Sequence, residues 1–199
     1  MTPRDYALLA QEAYSAKPDI GKADSASRAI VRQTAAGLVV AFPGTDNLDC
    51  VAADLDAHPI DVIGIGQVHH GFWSAWGAIA LDVLAAIDGR PVTLVGHSLG
   101  AAIAIMAASA MVATGSAPAA VYGFEPPRVS TNGSVAELLT NVPLSLYKNG
   151  NDIVPELPPN WQHAGAIQAI GLPALPFLNV TDHAIARVIS ALSSVQLAA

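Results

Sequence analysis

The segment Gly96-His97-Ser98-Leu99-Gly100 constrains this chain more than any other feature. It follows the apolar run 91–95 and precedes a long apolar stretch that begins at Ala101. This order predicts a strand, a sharp turn and a helix, and the two glycines let the turn tighten without side-chain collisions. A serine at such a turn projects clear of the backbone. We therefore expect Ser98 to be exposed at the end of the strand and to act as a nucleophile.

Four apolar runs have the length of buried strands, and helical segments or long connections separate them. This order favours a mostly parallel sheet. The runs lack strict alternation of apolar and polar residues, which is typical of strands covered on both faces. We therefore predict an α/β fold with a mostly parallel sheet and helices on both faces. The runs are 92–95, 120–124, 144–147 and 166–170.

The rest of the chain gives further local predictions. Apolar residues recur at helical spacing between Tyr6 and Tyr14, which indicates an amphipathic helix. The stretch from Thr45 to Gln67 is rich in loop-forming residues and has no sustained period, although a short helix is expected from Leu48 to Leu55. Two more strands are predicted at 28–33 and 38–42, and helices at 72–87 and 182–192.

Composition limits the class of protein and its partners. The chain has 199 residues, 52% of them hydrophobic and 13% charged, which suits a single domain over residues 1–199 with a large core. A net charge of −7 argues against nucleic acid as a partner, because phosphate backbones need clustered lysine and arginine. Cys50 is the one cysteine in the sequence, which excludes an internal disulfide.

Two segments bear on targeting. Residues 1–6 lack a basic segment followed by an apolar core, so we expect no secretory signal there, and the compartment stays open. The apolar stretch 99–113 is too short to span a bilayer, so we expect a buried helix and no transmembrane segment.

A serine hydroxyl needs a neighbouring imidazole to take its proton, and a carboxylate to orient that imidazole. In hydrolases with this serine turn the order along the chain is Ser, then Asp or Glu, then His. His163 and His183 are the two histidines that follow Ser98. We favour His183, because it directly precedes the last predicted helix and a loop there can reach over the edge of the sheet.

The acid is predicted to be Asp152. It lies in a turn, Asn149-Gly150-Asn151-Asp152, that follows the strand-like run 144–147 and can aim a carboxylate at the carboxyl ends of the strands. The alternatives are Glu125, Glu137, Glu156 and Asp182. Glu137 is expected on a solvent-exposed helix and Asp182 at a helix cap, which leaves Glu125 as the serious competitor.

Negative charge on the substrate oxygen requires backbone N–H donors that are already in place. The amide of Leu99 is one candidate. The second is expected from the turn Phe42-Pro43-Gly44-Thr45, most directly through the Thr45 amide, because this turn ends an earlier strand.

At this point the chain resembles a known family, the class 3 lipases, almost from end to end. The resemblance implies an α/β-hydrolase fold and hydrolysis of carboxylic esters without a cofactor or a metal. It also implies Ser98 as nucleophile, Asp152 as acid, His183 as base, and Thr45 and Leu99 at the oxyanion hole. It rests on Phe42–Thr45, Val68–Phe72, Gly96–Ala101, Phe124–Val129, Asn151–Pro155 and His163–Gly165.

The chain departs from the family pattern at several positions. Pro43 replaces the usual arginine beside the expected oxyanion donor, and Glu125 replaces a small residue, so that we expect its carboxylate to line the substrate cleft with Trp161. The expected lid, residues 46–66, carries several aspartates and few large apolar groups. Such a segment is a weak anchor for a lipid surface. This favours an esterase with short or medium acyl substrates.

The sequence thus predicts a serine carboxylic-ester hydrolase that acts on a small-molecule or lipid ester through an acyl-enzyme. Two alternatives stay open at this point. One is a catalytically silent scaffold that acts as a binding protein, and the other is an acyltransferase or amidase that uses the same three residues. The oligomeric state is not fixed by the sequence.

Overall fold

The computed structural model of the protein describes residues 1–45 and 58–197. A single 3-10 turn, Val154–Glu156, supplements the helices and strands of this part of the chain. The helices are α1 (Pro3–Ser15), α2 (His70–Gly77), α3 (Ala80–Ile87), α4 (Leu99–Ala113), α5 (Ser134–Leu138) and α6 (Ile185–Leu197). The strands are β1 (Ile20–Gly21), β2 (Arg28–Thr34), β3 (Gly37–Phe42), β4 (Pro59–Val62), β5 (Gly66–His69), β6 (Val92–His97), β7 (Ala120–Phe124), β8 (Leu144–Asn149) and β9 (Ile167–Ile170).

Seven of the described strands form one twisted layer in the order β1-β2-β3-β6-β7-β8-β9. The five strands from β3 to β9 in this order pair in parallel, and β1 and β2 add an antiparallel edge. The predicted mostly parallel sheet is confirmed. Its parallel strands all end at one edge, so the residues that follow β3, β6, β7 and β8 come close together there.

Helices cover both faces of the sheet, as predicted. On one face α2, α3 and α4 pack on the alternate strand residues that include Val40 and Leu94. On the other face α1 and α6 pack on the neighbouring residues, Val39 and Val95. Because successive strand residues point to opposite faces, an apolar residue is needed at nearly every position, and this explains the absence of alternation in the sequence.

Helix α4 is the helix behind the serine turn, and it is enclosed along most of its length. Its residues 100–109 are all buried. Most of its side chains are small, so the helix can approach both the sheet and α2 closely. The apolar stretch that the sequence predicts to be a buried helix is therefore a central part of the core.

Three local predictions need correction. Residues 72–87 form two helices, α2 and α3, bent by 55° to each other at Ala78 and Ile79. The last helix begins at Ile185 instead of Asp182. Strands β4 and β5 form a separate hairpin inside the stretch predicted as loop. Residues 59–62 alternate in exposure, as a half-buried strand does. Gly64 adopts φ +79° in the connecting turn, where a glycine is favoured.

The expected lid, 46–66, is described only in part. Residues 46–57, with the expected helix from Leu48 to Leu55, lie outside the described residues, and the remainder forms the β4–β5 hairpin.

No single helix within 1–45 and 58–197 is long and apolar enough to cross a bilayer. Only α2 and α3 taken together meet the length and composition, despite the bend between them.

We predict that the core depends on the inner face of β8. Leu146→Ala should lower the free energy of unfolding by roughly 2–5 kcal/mol, because Leu146 is fully buried and the deletion leaves a cavity. Leu81→Ala, in α3, is the matched control, since Leu81 is 83% exposed and its loss should change stability by about 0.5 kcal/mol or less. Urea unfolding of the two variants measures both values, and similar losses would contradict this packing.

Candidate active site

The serine turn has the geometry that the sequence predicts. Ser98 joins β6 to α4 with φ 58° and ψ −127°, a backbone conformation that is strained for a residue with a side chain. A Cβ atom on Gly96 would collide with the backbone of Gly100, and one on Gly100 would collide with the carbonyl of Phe42. Both glycines are therefore required, since backbone packs directly against backbone here.

Ser98 itself is fully buried, so the expectation that it is exposed is wrong. The turn that follows β3 covers it. A Cβ atom on Gly44 would lie 2.9 Å from the Cβ of Ser98 and 3.0 Å from the carbonyl oxygen of His97. The Oγ of Ser98 is buried with the rest of the residue.

The structure brings Asp152 and His183 together across 31 residues of chain. The Nδ1 of His183 lies 2.6 Å from the Oδ2 of Asp152, and neither side chain is exposed. Because a carboxylate only accepts, Nδ1 carries the proton of this hydrogen bond, and in the neutral imidazole Nε2 is left with a lone pair. The other oxygen of Asp152, Oδ1, accepts a hydrogen bond of 3.0 Å from the N–H of Val154.

Among the described residues, the proposed nucleophile and base each keep an unpartnered polar atom. Within the described residues, neither the Oγ of Ser98 nor the Nε2 of His183 has a hydrogen-bond partner. The ring of His97, the residue before Ser98, lies with its centroid 4.7 Å from that of His183. A nucleophile and a base commonly tighten their contact only when substrate is bound.

His97 has a hydrogen-bond partner at each of its ring nitrogens. Its Nε2 donates to the backbone carbonyl of His183 at 2.8 Å, and its Nδ1 therefore accepts from the Tyr14 hydroxyl at 2.6 Å. Burial, and next the neighbouring His183, hold the pKa of His97 well below its usual range. A neutral His97 thus joins α1, the serine turn and the loop that carries His183.

Asp182 is not a helix cap, contrary to expectation. Its buried carboxylate accepts hydrogen bonds of about 3 Å from the N–H groups of Asn151 and Ala174 and from the side chain of Asn179, and it pairs with Arg187 at 3.1 Å. Burial would raise the pKa of Asp182, but these hydrogen bonds and the Arg187 charge together lower it below its usual range. Asp182 therefore joins the loop of Asp152 to the loop of His183.

The residues expected at the oxyanion hole flank Ser98. Leu99 is the first residue of α4, where a backbone N–H has no acceptor within its own helix. Thr45 follows Gly44, which lies against Ser98. Thr45 also lines a cavity of about 260 Å³ beside His183, together with Tyr14, His97 and residues 184–186. The oxyanion role of both amides stays a prediction.

Neither residue expected in the cleft lines this cavity. Glu125 is fully enclosed, and its Oε1 accepts a hydrogen bond of 2.6 Å from the N–H of Asn149. Glu125 directly follows β7, adopts φ 53° and is shielded from solvent. Trp161 packs beside His69, with ring centroids 5.4 Å apart.

The remaining candidates have other partners. His163, the alternative base, lies before β9, and its Nε2 donates to the carbonyl of Pro155 at 2.9 Å. Glu156 accepts from Arg128 and Lys148 at 2.6 Å each, and the Lys148 hydrogen bond is the main cause of its lowered pKa. Glu137 is exposed on α5, as expected.

One group of described side chains is compact enough to be considered for a metal ion. Ligand-type atoms of Glu125, Asp152 and His183 lie within 4.8 Å of one another. The Nδ1 proton of His183 already occupies the nearer oxygen of Asp152, so a cation would have to displace that hydrogen bond. The group fits an acid and base pair with a second carboxyl better than a metal site.

The parallel sheet, the helices on both faces and the serine turn after β6 define an α/β-hydrolase. The chain belongs to the class 3 lipases, since the family model described as Lipase (class 3) matches residues 39–161. This confirms the family that the sequence motifs suggested.

Two fungal relatives show how far the similarity extends. "Secreted mono- and diacylglycerol lipase A" of Penicillium cyclopium is 30% identical over 145 residues, which cover 68% of this chain and 47% of the relative. "Secreted mono- and diacylglycerol lipase 1" of Fusarium solani is 36% identical over 107 residues, or 49% of this chain and 31% of the relative. The matches thus span about half the length of these curated relatives or less.

Solved structures agree on the fold. The Rhizomucor miehei lipase in complex with its propeptide superposes with a TM-score of 0.71 at 22% identity, covering 91% of this chain and 78% of that one. The Penicillium cyclopium MDLA variant N225Q gives 0.68 at 22% identity, with 90% and 81% covered. At these identities the similarity establishes the α/β-hydrolase fold.

We predict that Asp182 stabilises the protein through the loop contacts it accepts. Asp182→Ala should lower the free energy of unfolding at pH 7 by roughly 2–4 kcal/mol, because several buried donors lose their acceptor. Asp82→Ala, at an exposed position of α3, is the control and should change it by about 0.5 kcal/mol or less. Urea unfolding checks both, and an unaffected Asp182 variant would contradict the network.

Wild type and the Asp182→Ala variant should also differ in how their stability depends on pH. The pKa of Asp182 is lowered in the folded state, so its contribution is fully present above the pKa of the unfolded carboxyl and is lost as the pH falls through the folded value. The stability difference between wild type and Asp182→Ala should therefore shrink as the pH falls from 7 to about 3. A difference that is constant with pH would show that the charge of Asp182 is not what its partners recognise.

Proposed function

We propose that this protein hydrolyses carboxylic esters through an acyl-enzyme, with Ser98 as nucleophile, His183 as base and Asp152 as the acid that orients His183. The observation that carries this is the buried hydrogen bond of 2.6 Å between His183 and Asp152. It fixes the tautomer in which Nε2 can accept a proton, and that atom has no other partner among the described residues.

The reaction has two steps, formation of the acyl-enzyme and its hydrolysis. His183 Nε2 takes the hydroxyl proton as Ser98 Oγ attacks the ester carbonyl carbon, and the imidazolium then gives that proton to the leaving alcohol. Water next attacks the acyl-enzyme, again with His183 as base, and the carboxylic acid leaves as Ser98 regains its proton. The amides of Thr45 and Leu99 would stabilise the negative oxygen in both steps.

The substrate we propose is a neutral ester with a short or medium acyl chain. The expected lid, residues 46–66, carries several aspartates and few large apolar groups, which makes it a weak anchor for a lipid surface. A net charge of −7 disfavours anionic substrates. The relatives' names point to partial glycerides, and a glyceride with a short acyl chain satisfies all three considerations.

The direct test is replacement of the nucleophile. Ser98→Ala should reduce the hydrolysis of p-nitrophenyl butyrate by about 10⁴-fold or more, because the acyl-enzyme can no longer form. Ser109→Ala is the matched control, since Ser109 is equally buried in α4 and its hydroxyl bonds only to the Ile105 carbonyl. Circular dichroism should show both variants folded, and turnover retained by Ser98→Ala would refute the assignment.

A fluorophosphonate probe distinguishes an enzyme from a silent scaffold. The wild type should be labelled at Ser98, as located by peptide mass spectrometry, and Ser98→Ala should stay unlabelled. A wild-type protein that stays unlabelled at Ser98 would favour a binding protein on a hydrolase scaffold.

The preferred length of the acyl chain can be tested separately from the identity of the nucleophile. In a series of p-nitrophenyl esters from acetate to palmitate, we expect kcat/KM to be highest for short or medium chains. Each ester is measured below and above its solubility limit, and we expect no rise in rate at that limit. The segment before His183 exposes apolar side chains, among them Leu172 and Phe177, which a lipid surface would cover. A rise in rate at the solubility limit would therefore have a structural explanation. A rate increase on emulsions would contradict the esterase assignment and favour a true lipase.

A further inference from the structure

Glu125 is a fully buried candidate acid to which the proposed mechanism gives no role. It follows β7, and Asp152 follows β8, the neighbouring parallel strand. The N–H of Glu125 donates to the carbonyl of Tyr147 at 2.8 Å, which extends the ladder between these strands by one residue. Two carboxyl groups on adjacent strand ends therefore reach the same enclosed space.

The two carboxyl groups differ in their hydrogen-bond donors. Asp152 accepts at both oxygens, from His183 at 2.6 Å and from Val154 at 3.0 Å. Glu125 accepts at Oε1 from Asn149, whereas Oε2 has no partner among the described residues and no exposure to solvent. Donors stabilise the ionised form of a carboxyl, so Asp152 is the better site for the negative charge.

A second negative charge in this space would be costly. Atoms of Glu125, Asp152 and His183 lie within 4.8 Å of one another, and all three side chains are fully buried. Two buried carboxylates at such a distance repel each other strongly, and the repulsion is relieved when the pair keeps one proton. Burial, followed by the influence of Asp152, raises the pKa of Glu125 well above its usual range.

The nearby charged groups do not offset this repulsion. Lys148 is the cation that acts on Glu125, and its Nζ pairs with Glu156 at 2.6 Å. His97 faces His183 from β6 and is neutral, because burial lowers its pKa. Asp152 and His183 are then the titratable groups that lie within 4.8 Å of Glu125.

We propose that Glu125 is a positioning residue of the active site, a neutral carboxylic acid whose Oε2–H is donated towards Asp152. This inference rests on the proposed function. A neutral Glu125 supports Asp152 through a hydrogen bond and adds no second negative charge beside His183. An ionised Glu125 would place a second buried anion next to the base that Ser98 needs.

Glutamine and leucine at position 125 separate the alternatives. Glutamine has one acceptor and donor groups in the shape of a protonated glutamic acid, whereas leucine fills a similar volume without either. Glu125→Gln should keep kcat/KM for p-nitrophenyl butyrate within about threefold of wild type, with the same acidic midpoint in its pH profile. Glu125→Leu should lower kcat about tenfold or more and move that midpoint to higher pH, because Asp152 loses a donor.

Matched controls and a second readout keep the test decisive. Glu137→Gln and Glu137→Leu make the same changes at an exposed carboxyl and should leave the pH profile unchanged. The titration midpoint of the His183 imidazole, followed by ¹⁵N NMR in wild type and Glu125→Gln, does not depend on turnover or on the folding of the leucine variant. We expect the two midpoints to agree.

Two results would overturn the inference. An acidic midpoint of Glu125→Gln that is lower by about one pH unit would show that Glu125 carries a charge in the wild type. Equal activity and equal midpoints in the glutamine and leucine variants would show that Glu125 only fills space.

Failure of the proposed function looks different. In that case Ser98→Ala, or Asp152→Asn, retains the activity of the wild type. Loss of activity in Glu125→Gln together with an active Asp152→Asn would make Glu125 the orienting acid itself and would overturn both the inference and the choice of acid.

Discussion

The close approach of backbone to backbone at the serine turn is the constraint on which the rest of the site depends. The end of β3, the end of β6 and the start of α4 meet where Gly96 and Gly100 have no side chains. Ser98 adopts its strained conformation there because its N–H donates to the carbonyl of Phe124 at 2.9 Å and α4 is locked into the core. Any side chain at either glycine would move the hydroxyl and the turn that covers it together.

Around this fixed point the other site residues sit on loops, and buried polar groups hold those loops. His97 ties the carbonyl of His183 to the sheet, and Asp182 ties the His183 loop to the turn before Asp152. A Cβ atom on Gly150 would lie 2.7 Å from the Oδ2 of Asp182, so this turn also depends on a glycine. Hydrogen bonds and packing of this kind hold the side chains that the loops carry in place.

The sequence predicted the elements that carry strong local signals. The run Ala120–Phe124 and the serine turn were correct because an apolar strand, paired glycines and a long apolar helix are each encoded in neighbouring residues. The choice of His183 and Asp152 followed from chain order, and the structure places these two side chains in contact.

The errors concern features that depend on distant residues. The burial of Ser98 depends on the turn that contains Gly44. The partners of Asp182 come from three separate loop positions. No local sequence pattern predicts either contact. The β4–β5 hairpin was missed because its strands are short and half exposed, although its turn glycine was visible. The full burial of Glu125 and its positive φ could not be read from its sequence neighbours, and its place in the substrate cleft stays a prediction.

We propose that Ser98, His183 and Asp152 act as one unit beside the backbone amides of Thr45 and Leu99. A crystal structure of the protein after reaction with a phosphonate ester tests it most directly. We expect phosphorus bonded to the Oγ of Ser98, the Nε2 of His183 within hydrogen-bond distance of an adduct oxygen, and the phosphonyl oxygen facing the amides of Thr45 and Leu99. A phosphonate bonded elsewhere, or an imidazole of His183 that stays out of reach of the adduct, would contradict it.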